Sequence, residues 1–154
     1  MLKKEELREL RTAFWSEFDE FNKKKRTAAN RKISWAQYKS GIKDIYFRLD
    51  FDAKEAYFAI DLQMRDPEIR ELVWEQFMET EKLLLNHVGP ELEKLPNLLT
   101  KEGIYIHRMK WALPAVSIMN KDDYPKAIRF LSEKIQGLDE FWFEFSDLFV
   151  ALCR

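Results

Sequence analysis

Apolar and polar residues alternate most regularly between Asp44 and Gln63, and the rest of the chain is read outward from that stretch. Asp44 to Phe51 and Ala56 to Gln63 each repeat with a period of two in aromatic and branched residues, which predicts two half-buried strands. The polar link Asp52-Ala53-Lys54-Glu55 joins them as a hairpin. One face carries Ile45, Phe47, Leu49 and Phe51 against Ala56, Phe58, Ile60 and Leu62. The other carries Asp44, Tyr46, Arg48 and Asp50 against Tyr57, Ala59, Asp61 and Gln63. Such a sheet packs one face on helices and leaves the other open to water, a ligand or a partner.

Outside the hairpin the period changes to that of a helix. Leu7, Leu10, Phe14, Phe18 and Phe21 place one helix over about Lys3 to Lys25, its stripe widened by Trp15. Thr27 to Ser34 has no period and reads as a loop. Ile33 to Tyr38 reads as a helical turn capped by Ser34, in preference to a short strand. Asp66 as N-cap and Pro67 in the first turn open a long helix, which Gly89 and Pro90 end. Glu91 to Leu99 is expected to be a short helical turn broken at Pro96. A third strand follows over Ile104 to Trp111, with Pro114 ending it or marking an edge. One further helix is expected over Asp123 to Gln136, stopped by Gly137, and a last one over Leu138 to Leu152. The last helix keeps Phe143 and Val150 outside its main apolar stripe.

The order α-β-β-α-β-α-α predicts a single α+β domain over residues 1–154. A small, mainly antiparallel sheet, the hairpin plus a third strand, is packed on one face by four main helices. Among the 154 residues the aromatics reach 14%, so most of them must be core. A chain of this length buries roughly 68–70% of its unfolded surface. The net charge of -1 argues against a globally basic nucleic-acid binder and leaves room for a local basic patch. Cys153 is the one cysteine, which rules out an intrachain disulfide and a cysteine-based zinc site. No apolar run approaches a membrane span and the N-terminus has no signal-like core, so a bacterial-type cytoplasm is the expected compartment.

The four glycines all fall at expected element boundaries, and neither a P-loop nor a dinucleotide fingerprint is present. Three candidate chemistries remain. Asp44 and Asp61-Leu62-Gln63 imitate the spacing of Mg²⁺-dependent nucleases, in which an Asp and a (D/E)-x-K from neighbouring strands hold the metal. Gln63 stands where the lysine belongs, so any such site would be degenerate, and Mg²⁺ enters only on that alternative. Lys23, Lys24, Lys25, Arg26, Arg31 and Lys32, with Trp35 and Tyr38 just beyond them, offer cations for phosphates and two aromatic rings for an unpaired base. Tyr46, Arg48 and Tyr57 on the polar hairpin face would extend such a surface. The plainer alternatives are a solvated helix end, a buried Trp35, and a sheet face covered by the third strand's loop or another subunit. Phe143 and Val150 give the last helix an apolar edge that either a second copy covers in a homodimer or the monomer itself buries on a second side.

Phe14-Trp15 with Phe18, Trp35 ahead of the hairpin, and Asp66-Pro67-Glu68-Ile69-Arg70 through Trp74 and Phe77 carry a resemblance. With the aromatic C-terminal helices, they make the chain resemble a bacterial domain family of unknown function. That family is found alone or attached to predicted restriction-endonuclease-like modules. The resemblance implies an accessory domain near DNA restriction or defence and transfers no functional residue. The expected role is a binding or assembly module, associated with nucleic acid or scaffolding another protein, with no enzymatic activity assigned.

Overall fold

The hairpin forms as its alternation requires. In a computed structural model describing residues 3–153, β1 (Ile45–Phe51) pairs antiparallel with β2 (Glu55–Leu62). Ile45 lies opposite Leu62, and Phe51 opposite Ala56. Two more strands, β3 (Glu93–Leu99) and β4 (Tyr105–Pro114), complete an antiparallel sheet of order β1-β2-β4-β3. Its apolar face meets α1 (Lys4–Asn22), α2 (Pro67–Glu79), α3 (Glu81–Val88) and α4 (Tyr124–Leu152). The architecture is α+β, as the change of period predicts.

Aromatic side chains hold these layers together. Phe14 of α1 packs on Phe51 of β1 and on Tyr124 of α4, with ring centroids 4.6 and 5.1 Å apart. Phe77 of α2 lies 4.2 Å from Phe149 of α4, and Trp142 packs edge-on to Phe47. Each of these rings is buried, and burying a large side chain contributes about 1.5–3 kcal/mol. Two of the buried indoles also satisfy their polar ends: Trp142 Nε1 donates to the Ser40 carbonyl at 2.8 Å and Trp111 Nε1 to the Gly89 carbonyl at 2.9 Å.

Three elements differ from the sequence expectation. The helix opened by Asp66 breaks at Thr80, whose hydroxyl donates to the Gln76 and Phe77 carbonyls and ends α2 before α3 begins. The segment expected as a turn around Pro96 is instead β3, an edge strand exposed along most of its length. Pro96 sits there because an edge strand tolerates a missing N–H, and the ladder slips between Leu95 and Leu98. The two C-terminal helices are one. Gly137, read as a stop, lies inside α4 and lets the helix approach α3. No helix among the described residues is long and apolar enough to cross a membrane.

Candidate functional site

The polar sheet face is built from alternate residues of β1, β2 and β4, and its inner half is closed by the molecule's own side chains. Asp61 is 1% exposed. Arg108, directly across the ladder, grips it through Nε at 2.7 Å and Nη2 at 2.8 Å, while Arg48 Nε stands 3.5 Å away. A two-pronged guanidinium–carboxylate pair of this kind is among the stronger polar contacts available. The hydrogen bond to Asp61 holds the Arg108 guanidinium above its ordinary pKa. Tyr57 lies half-buried beneath Arg108 and Lys110, and Lys110 pairs with Glu55 at 2.6 Å. Burial pushes the Tyr57 phenol up. The turn between β3 and β4 walls this half of the face, leaving a depression of about 680 Å³ over Tyr57, Asp61, Gln63 and Arg108. Most of the charge here is matched internally.

The two hairpin acids lie in different surroundings. Asp44 precedes β1 with φ of 69°, which removes it from the strand's alternation, and its carbonyl accepts the Gln63 N–H at 2.8 Å. Its charge acts on Cys153 at the end of α4, whose thiol is raised by burial first and by Asp44 second. Asp61 is held instead by Arg108 and Arg48 on the polar face. Among the described residues no three His, Cys, Asp or Glu side chains group as metal ligands.

The outer half of the hairpin and the segment before it are different. Arg48 is exposed and lies 4.5 Å over the ring of Tyr46, itself 39% exposed. Lys39 pairs with Tyr46 across an isolated bridge, so residues 38–40 cover the β1 edge and set Lys39 beside these two side chains. Upstream, Lys23 pairs with Glu20, and Arg26 donates to the Asn30 carbonyl at 3.4 Å. Lys25 leans over Phe21 and reaches Ser132 Oγ at 3.3 Å, and burial lowers its ammonium. Lys24, Arg31, Lys32 and Lys39 are exposed and form no ion pair among the described residues.

Trp35 is not a stacking platform. It is 3% exposed, and its Nε1 donates to the Lys25 carbonyl at 3.1 Å, so it anchors the loop to the core. A second anchor was not visible in the sequence. Tyr38 donates its hydroxyl to Asp139 Oδ1 at 2.5 Å, and the Ala28 N–H donates to Oδ2 at 2.7 Å. Burial, then the bond to Asp139, raises the Tyr38 phenol. The two bonds to Asp139 therefore hold the basic segment against α4.

Between positions 23 and 49 stand nine of the chain's 26 Lys and Arg and one of its 27 Asp and Glu, Asp44. The segment thus carries nine cations less one acid, in a chain whose total is -1. Counting only Lys23 to Lys32 misses Lys39, Lys43 and Arg48, which the β1 edge brings into the same rim. Nearby on α4, Phe143 is 62% exposed, and Leu148 and Val150 are also exposed.

No curated protein and no solved structure matches the chain. A family model does match, over residues 10–146, an interval that takes in the basic rim, the whole sheet and most of α4. The chain belongs to the family described as Domain of unknown function (DUF4268).

Proposed function

We propose that the protein is a nucleic-acid-binding module whose contact surface is the basic rim running from Lys24 through Arg31, Lys32 and Lys39 to Arg48. The observation that carries this reading is the charge separation: the 23–49 segment, which contains the rim, holds nine cations and one acid in a chain of net charge -1. Phosphates repeated along a strand match a row of separated cations, of which Lys24, Arg31, Lys32 and Lys39 form no ion pair among the described residues, and binding gains from the counterions they release. Tyr46, exposed and backed by Arg48, supplies a ring on which a base can stack. The inner sheet face, with Tyr57 and Asp61, supports the rim and does not itself take the strand, because its charges are already paired.

Fluorescence anisotropy with labelled single- and double-stranded oligonucleotides tests this. Affinity should fall steeply between about 50 and 200 mM salt, and the pair Arg31→Glu with Lys32→Glu should weaken it by more than about tenfold. Absence of binding at the lower salt sinks the proposal. A second reading, self-association through α4, is favoured by the exposure of Phe143, Leu148 and Val150. Light scattering over a concentration series reads it directly.

A further inference from the structure

We propose that the cleft between the 27–40 segment and α4 is a pocket for one nucleobase carrying an exocyclic amine, with its phosphate at the cleft mouth. The cleft encloses about 440 Å³, within the range of small-molecule sites, and is walled by Trp142 and Phe143 on one side and Ile33 and Tyr38 on the other. Three features point to this ligand. Phe143, the most exposed large hydrophobic side chain among the described residues, presents a ring at the cleft where a base would stack. Asp139, 4% exposed, lines the cleft with a carboxylate whose contacts are both neutral donors, the Tyr38 hydroxyl and the Ala28 N–H. Each carboxylate oxygen has a second acceptor site, and a buried carboxylate without a cation gains from a further donor such as an amino group. Arg31 and Lys39 line the same cleft and are unpaired, so a phosphate attached to the base has two cations to meet.

A second copy of the chain packing on Phe143 would cover the ring and leave the spare acceptor sites of Asp139 and the two cations unanswered. A base with its phosphate answers all three. The proposal rests on the nucleic-acid reading in that the rim would deliver a strand end or an unstacked base to the cleft. It is separable from that reading because a free mononucleotide fits the same space.

The test uses the whole chain and the monophosphates AMP, CMP and UMP. The indole N–H of Trp142, bonded to the Ser40 carbonyl at 2.8 Å, is the reporter in an amide-correlation NMR spectrum. AMP and CMP should shift it saturably at millimolar concentration, and UMP, whose base has no exocyclic amine, should bind more weakly. Phe143→Ala, a change at an exposed position, should reduce the affinity by about tenfold. Arg48→Ala should weaken oligonucleotides and leave mononucleotides unchanged. No shift up to ~10 mM overturns the pocket, as does equal binding of UMP or an unaltered affinity in the Phe143 variant. If oligonucleotides still bind when mononucleotides do not, the rim stands and the pocket falls. If concentration-dependent dimerisation disappears in Phe143→Ala, the ring belongs to a copy–copy contact and the pocket is likewise overturned.

Discussion

At Gly137 a single hydrogen decides how two helices meet. A Cβ built there would fall far inside contact distance of the His87 carbonyl oxygen and 3.2 Å from Val88 Cα, both backbone atoms at the C-terminal end of α3. Lys134, one turn earlier, donates to the Val88 carbonyl at 2.8 Å and so caps that end of α3 from α4. Backbone cannot step aside as a side chain can. Gly137→Ala should therefore cost at or above the roughly 1–3 kcal/mol typical of overpacking, although alanine is the better helix former by about 1 kcal/mol. Urea denaturation measures it, and a midpoint equal to or above the parent's would show that α3 and α4 do not approach this closely. The same residue explains a misreading of the sequence. Glycine past an apolar stripe looks like a helix stop, and only the packing partner, fifty positions away, reveals it as a contact surface. Asp66 was legible for the opposite reason. Its carboxylate accepts the Glu68 N–H at 2.9 Å two residues on, so the signal and its cause lie within one turn.

Among the elements, those whose apolar stripe meets a single surface were readable, and those at an edge were not. β1 and β2 alternate because one face lies on helices, and their register follows from that alternation. β3 has neither face deeply buried, and its order is set by the ladder to β4 and by the Asn97 N–H donating to His107 Nδ1 at 3.0 Å. No period in the sequence records such a contact. The 27–40 segment is likewise ordered by its tethers, and its link to Asp139 makes it sensitive to alkali. Burial first, and Asp139 second, raise the Tyr38 phenol above its ordinary 10.0. The folded protein then keeps a proton that the unfolded chain releases as pH climbs past 10.0. The contribution of this tether is complete below that pH and lost as pH rises towards the folded value. Tyr38→Phe should be less stable than the parent near pH 8, and the gap should narrow above about pH 10. Tyr57 and Tyr124 are also raised by burial, so both proteins should lose stability in alkali. Denaturant midpoints compared across that range test the argument, and a gap independent of pH would remove Tyr38 as its source.

For the whole molecule, net charge misdescribes the surface. A total of -1 and a pI near 6.2 suggest a protein that ignores polyanions at neutral pH. Yet the 23–49 segment holds nine cations and one acid, so everything outside it is strongly acidic. The fold keeps the two apart. Tyr38 and the Ala28 N–H, both bonded to Asp139, fix the segment on α4, and the Lys39–Tyr46 bridge carries the rim onto β1. Over distances beyond about 8–10 Å at physiological salt, the acidic remainder is screened from a polyanion lying on the rim. The local balance then governs binding. The protein should be retained on a heparin column near pH 7.5 at low salt and elute as salt rises, against the expectation from its net charge. Arg31→Glu with Lys32→Glu should abolish retention. Lys82→Glu with Lys126→Glu changes net charge by the same amount at exposed positions outside the rim, and should leave elution nearly unmoved. Equal loss in both variants would mean that total charge, and not its arrangement, controls the interaction, and the rim would lose its claim to be a site.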